Sequence, residues 1–388
     1  MPQLTWNQQV VKKNNKSLVL QMVMEKDPIS RADIAQVTGL NKATVSSLVN
    51  ELLEEELIYE SGPGESSGGR RPVLLHFNKV AGYSIGIDIG VNYILGVLTD
   101  LKGEILFEQN QTIIDTSYPV IAELVQKLIQ TLLESLPKSR YGAVGIGIGV
   151  PGIVEKEGTV LLAPNLGWKN ISLKKQIEDE FQLPVIIENE ANAGAYGEKQ
   201  LGAGQDGENI IYVSAGIGIG VGIILNGNLY QGKNGFSGEM GHMIIEVNGK
   251  QCSCGSKGCW EVYASEKALL KMANQKNITL DTLIESAENH DLNAISLFEK
   301  IGNYLGFGIN NIINTFNPDQ VIIGNRLAKA KLWLEQPIHN TIENHTLPFH
   351  QKEVELRFSK LSKYSTALGV SAFVVENFIN NDEIPITI

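Results

Sequence analysis

Apolar positions Val10, Val11, Leu18, Val19, Met22 and Val23 recur at helical spacing and stop at Asp27-Pro28, which predicts a first helix. Ser30 is placed as the N-cap of a second, with Asp33 in the capping-box position and Ile34, Ala35 and Val37 within it. Thr38-Gly39-Leu40 reads as a tight turn. Asn41 then caps a third helix, from Lys42 to about Glu56, whose inward face is Val45, Leu48, Val49, Leu52 and Leu53. Two short helices across a glycine turn make a helix-turn-helix. Leu57 to Glu60 and Val73 to Phe77 read as strands around a loop, Ser61 to Gly69, with four glycines and three serines. Arg70-Arg71 close that loop, so the pattern predicts a wing.

From Tyr83 the texture changes to glycine-punctuated strands alternating with helices, the α/β signature. Residues 83–90, followed by a strand to Asp100 and a turn at 101–103, resemble residues 209–222, followed by a strand and a turn at Asn226-Gly227. The two units start about 125 residues apart and predict a duplicated, two-lobed fold with a cleft. Helices are expected near 119–136, 191–200, 294–316 and 365–379, with a strand at 353–358. The predicted division is a DNA-binding unit at 1–80, a first lobe at 81–190 and a second at 191–388, its last helix packing back on the first lobe.

Composition sharpens this reading. The chain has 388 residues, enough for two or three domains, and 43% hydrophobic with 19% charged residues describes an ordinary globular chain. No apolar run reaches the ~18–20 residues a membrane span needs, and the N-terminus lacks a signal-peptide core, so a cytoplasmic location is expected. The net charge of −11 argues against generic nucleic-acid affinity, but it is segregated. Residues 1–80 hold nine basic and nine acidic groups, while the rest hold 23 and 34.

Three groups of residues carry candidate chemistry. Arg31, Lys42, Thr44, Ser46, Ser47 and Asn50 lie off the apolar face, as base-reading side chains do. Arg70 and Arg71 suit the minor groove or phosphates, and Lys12, Lys13 and Lys16 would extend a basic face. All three cysteines, Cys252, Cys254 and Cys259, fall within eight residues, and His242 precedes them by ten. That is a Cys₃His set suited to structural zinc. Finally, Glu188-Asn189-Glu190-Ala-Asn192 at a strand-to-helix turn offers amide and acidic groups to a polyol.

Together with Ile146-Gly-Ile-Gly-Val-Pro151-Gly152, Pro164-Asn165-Leu-Gly-Trp168 and Glu239-Met-Gly-His242, these segments resemble the ROK family of repressors and sugar kinases over nearly the whole chain. The resemblance implies an actin-like, ribonuclease-H-like pair of lobes behind the winged helix-turn-helix. It also implies sugar contacts from Gly152, Asn165, Asn189, Glu190, Glu239, His242 and Glu261, with His242 bridging sugar and zinc.

The kinase pattern is interrupted. Asp88-Ile-Gly90-Val91-Asn92-Tyr93 lacks the second glycine, hydroxyl and lysine of the family's first phosphate turn, and Ile217 and Val221 interrupt the second. Gly324-Asn325-Arg326 replaces three glycines on the adenosine side. Glu190 replaces the aspartate base, moving its carboxylate by roughly 1 Å. The sugar set survives, so the expectation is a non-enzymatic repressor that binds a palindromic operator as a homodimer. Segments such as 41–47 and 66–73 are similar to those of regulators of xylose utilisation, which implies D-xylose or a related sugar as effector. The rival expectation is an ATP-dependent sugar kinase with a DNA-binding arm.

Overall fold

The structure, a computed structural model, describes residues 8–63, 73–350 and 354–380. Helices Gln8–Glu25, Arg31–Thr38 and Lys42–Glu54 form the N-terminal unit. Ser30 and Asp33 make the capping box, and Asn41 Oδ1 accepts from the Thr44 amide at 2.8 Å to start the third helix. Gly39 takes φ 71°, a left-handed conformation in which a side chain is strained. The third helix ends at Glu54, short of the expected Glu56, which instead takes φ 57° as the chain reverses into the wing. Asn41→Ala should cost about 1 kcal/mol, seen as a lower denaturant midpoint. An unchanged midpoint would mean that the cap is idle.

Strands Ile58–Pro63 and Val73–Phe77 pair antiparallel, with Ile29–Ser30 as a third. The loop between them, with Arg70 and Arg71, lies outside the described residues. The core of this unit includes Val19, Leu48, Val49 and Leu52, and it is not self-contained. It runs on into Leu101, Tyr141 and Val144 and into Val374, Val375 and Phe378 of the last helix, Ser365–Asn380. Polar ties cross the same boundary: Arg140 to Glu56 at 2.7 Å, Lys102 to Asp27 at 2.7 Å, and the Tyr141 hydroxyl to the Glu55 carbonyl at 2.8 Å.

The duplication read from the glycine pattern is realised strand for strand. In the first five-stranded sheet, Tyr83–Ile89 is central, antiparallel to Tyr93–Asp100, which pairs with Ile105–Thr112. On the other side Ala143–Val150 and Val185–Asn189 run parallel to it. The second sheet repeats this order with Ile210–Ala215 at its centre, flanked by Ile219–Leu225 and Asn228–Leu229, and by Gln320–Gly324 and Glu355–Phe358. The last strand begins at Glu355; residue 353 of the expected strand lies outside the described residues.

Two helices lie between the sheets, and each follows one sheet but packs on the other. Glu190–Leu201 leaves the first sheet and packs on strands Ile210–Ala215 and Ile219–Leu225. Ser365–Asn380 follows the second sheet and packs on Tyr83–Ile89 and Ala143–Val150. The alternating glycines of those strands now have a physical reason. A Cβ at Gly86 would sit 2.0 Å from the Ala367 carbonyl oxygen, and one at Gly147 2.4 Å from that of Val370. Only bare backbone lets the helix come so close. No helix among the described residues is long and apolar enough to cross a membrane.

Candidate functional site

The metal loop is built on glycines and one tryptophan. Gly258 takes φ 80°, and a Cβ there would meet the Glu246 carbonyl oxygen at 1.8 Å. Trp260 is fully buried against Gly308 of the Leu292–Phe316 helix and donates its indole N–H to the Tyr304 carbonyl at 2.8 Å. These anchors bring the ligand atoms of His242, Cys252, Cys254 and Cys259 within 4.8 Å of one another. The Cys254 and Cys259 sulfurs stand 3.7 Å apart, as do Cys252 Sγ and His242 Nδ1. A tetrahedral ion bound to sulfur at about 2.3 Å requires ligand separations close to these. The four residues thus fit a metal ion. Burial pushes the Cys252 thiol up to about 12, with the Glu261 carboxylate adding to the rise, so without a cation this sulfur stays protonated at neutral pH.

The residues expected to meet sugar form two groups. In one, Asn189 caps the Glu190–Leu201 helix, accepting from the Ala191 and Asn192 amides, and donates from Nδ2 to the Gly152 carbonyl at 2.7 Å. A Cβ on Gly152 would strike the Leu162 carbonyl oxygen at 2.3 Å, so Gly152 lies against strand Val160–Ala163. Asn165 stands exposed on the turn that follows. In the other group, His242 Nε2 lies 3.9 Å from a Glu239 oxygen and His242 Nδ1 3.8 Å from a Glu261 oxygen. Burial holds the Glu239 carboxyl above the usual carboxylate range, and Glu261 adds to the rise against the pull of His242.

One strand joins the groups. A Cβ at Gly220 would lie 4.0 Å from Glu190 Oε1 and one at Gly218 3.0 Å from Glu261 Oε2, while Gly238 and Gly241 rest on the carbonyls of Val221 and Ile219. Glu239 and His242 are therefore held by the strand that also borders Glu190.

Two residues beside the site, Ser214 and Gln231, had no motif to reveal them. Ser214 donates to Glu190 Oε1 at 2.9 Å, and Gln231 reaches Glu188 Oε2 at 2.6 Å, a contact from the second lobe to the end of the first sheet. Asp88 is buried beside Glu190; burial, with Glu190 adding, raises its carboxyl to about 8.

The DNA-facing set is only partly free. Lys42, Ser47 and Asn50 are exposed, while Thr44 and Ser46 are half-buried. Arg31 is held by Glu60 of the wing strand at 2.7 Å and faces Asn50 Oδ1 at 3.5 Å. Lys12 pairs with Glu51 and Lys16 with Glu55, both at the end of the third helix. The expected basic face is accordingly smaller than composition implies, because acidic residues of the same unit neutralise it.

The sequence pattern of the ROK family matches residues 84–377, which span both sheets, the metal loop and the last helix. The chain belongs to the ROK family. The MarR family pattern matches residues 13–71, a stretch that includes the helix-turn-helix and strand Ile58–Pro63. A xylose repressor from Bacillus spizizenii is 46% identical over 96% of this chain and 98% of its own length. Among solved structures, a ROK-family transcriptional regulator homologous to the E. coli MLC protein superposes with a TM-score of 0.82 at 29% identity, covering 95% of this chain and 97% of its own. A ROK glucokinase from Streptomyces griseus, solved with glucose and AMPPNP, reaches 0.69 at 28% identity, covering 75% of this chain and 99% of its own. The match to the kinase covers three quarters of this chain, whereas the match to the regulator covers nearly all of it.

Proposed function

We propose that this ROK protein is a homodimeric transcriptional repressor, released from a palindromic operator by D-xylose. The observation that carries this reading is the union, in one chain, of a MarR-type winged unit with ROK lobes, close to a xylose repressor along nearly its full length. The units are residues 1–80, 81–190 and 191–388, and zinc is the ion for His242, Cys252, Cys254 and Cys259. Lys42, Thr44, Ser46, Ser47 and Asn50 read the major groove, with Arg31 positioning them, and Arg70 and Arg71 serve the wing. Sugar is held by Gly152, Asn165, Asn189, Glu190, Glu239, His242 and Glu261. The zinc ion, when bound, supplies a fixed positive centre that keeps the cysteines ionised and the loop folded. His242 orients Glu239 and Glu261 toward the sugar hydroxyls.

The route from sugar to DNA is short. The Thr366 hydroxyl donates to the Glu190 carbonyl at 3.3 Å, and Tyr196 stacks on Phe373 at 3.9 Å while its hydroxyl reaches Glu376 at 2.6 Å. The same helix ends on the winged unit, where Ser17 donates to the Ile379 carbonyl at 3.4 Å, next to Phe378, which packs edge-on to Tyr141 of the first lobe. Closing the lobes on sugar shifts this helix and, with it, the two winged units of the dimer. Xylose must favour the released state by about 1–3 kcal/mol for such coupling. The experiment is an operator gel shift with and without xylose. Glu239→Ala should keep operator affinity and lose the xylose response; retention of a normal response would reject the assigned sugar set.

A further inference from the structure

Two glycine turns stand out, one at Gly90 after the first central strand and one at 216–218 between the paired strands of the second sheet. Turns of this kind cradle phosphate where bare backbone lets an anion reach several amides at once. Both are filled from within. A Cβ placed on Gly90 would lie 2.3 to 2.6 Å from atoms of the Tyr93 ring, so that ring covers the turn. One on Gly216 would lie 3.0 to 3.1 Å from the amide group of Asn325.

Each filler is fastened. The Tyr93 hydroxyl donates to Asp88 Oδ2 at 2.6 Å, and Asn325 Nδ2 donates to Ser214 Oγ at 2.9 Å while its oxygen accepts the Arg326 amide. The arginine that follows Asn325 is also already engaged. Arg326 gives both Nε and Nη2 to Glu266 at 2.6 and 3.0 Å, while Asp88 is a buried carboxyl and Glu190 a half-buried one. Asp88 Oδ1 is buried with no hydrogen-bond partner among the described residues.

We propose that Tyr93 and Asn325 are exclusion residues, internal occupants of the two glycine turns that bar nucleoside triphosphates from the cleft and reserve it for neutral sugar. Loss of the phosphate-turn residues would only weaken nucleotide affinity; occupancy removes the space itself. This inference rests on the sensor reading, and its test is separable from it.

The test is calorimetric titration of the full-length, metal-loaded protein with Mg²⁺–ATP and with Mg²⁺–tripolyphosphate. The wild type should bind neither at millimolar concentration. The double variant Tyr93→Ala, Asn325→Gly should bind both at least about tenfold more tightly than the wild type. Asn325 already has φ 63°, so glycine suits its backbone. Tyr93→Phe keeps the ring and should remain closed to nucleotide. If the double variant fails to fold by circular dichroism, the single variants Tyr93→Thr and Asn325→Gly carry the same comparison. Equal nucleotide binding by wild type and folded variant, or binding gained by Tyr93→Phe alone, would overturn the proposal. Absence of a xylose effect on operator binding by the wild type would instead remove the sensor reading and leave the nucleotide comparison standing.

Discussion

Stripping the metal with a chelator should lower the melting temperature by about 10 °C, at ~2–4 °C per kcal/mol for a large domain, and raise the xylose needed for operator release at least tenfold. The loop has almost no regular structure: two isolated β-bridges, Ile244 to Cys259 and Gln251 to Lys257, are its only strand pairing among the described residues. Its shape is set by the four candidate ligands, by tight glycines and by Trp260. Without the ion, three thiols and an imidazole would pack at van der Waals distance, with the Cys252 thiol held protonated by burial. Glu261 follows Cys259 by two residues and His242 is one of the four candidate ligands, so slackening the loop would displace two of the proposed sugar contacts directly. Calorimetry and gel shifts before and after chelation, with zinc added back, check both effects. An unchanged melting temperature and xylose response would deny the ion a structural role.

Gly369→Val should be the most damaging single substitution between the lobes. A Cβ at this position would stand 1.8 Å from the Ala193 carbonyl oxygen and 3.0 Å from the Gly197 amide nitrogen. Those atoms are helix backbone and cannot rotate away, so the two interlobe helices must separate. Overpacking of this kind costs about 3 kcal/mol or more. The expected result is a melting temperature lower by roughly 5–10 °C and operator binding that no longer answers to xylose. The measurements are thermal unfolding and a gel-shift titration. Wild-type behaviour in both would show that this crossing does not carry the coupling.

Local signals in the chain were strong where local physics decides. Ser30 with Asp33, Gly39 and Asn41 fixed the helix-turn-helix, because caps and left-handed turns depend on residues within four positions. The cysteine spacing disclosed the metal loop for the same reason. The repeat of glycine-punctuated strands disclosed two sheets of one topology, but not why the glycines alternate, since that depends on a helix more than 200 residues further on in sequence. The small sheet of Ile153–Val154, Val160–Ala163 and Trp168–Ile171 had no periodic pattern strong enough to mark it. Ser214 and Gln231 were unremarkable as letters, and Tyr93 was marked only as a departure from the family's phosphate turn; what each of them touches follows from folded neighbours alone. The lysines of the first helix misled, because Glu51 and Glu55 neutralise two of them from a different helix.

The shared core beneath the winged unit bears on the order in which the protein is made. Chains are synthesised from the N-terminus, and domains ordinarily fold as they emerge. Here Val374, Val375 and Phe378 complete the packing around residues as early as Val19. The DNA-binding unit cannot finish its core until nearly the whole sensor has left the ribosome. A truncated nascent chain therefore lacks a completed reading head, and operators are spared occupation by fragments that no sugar could dislodge.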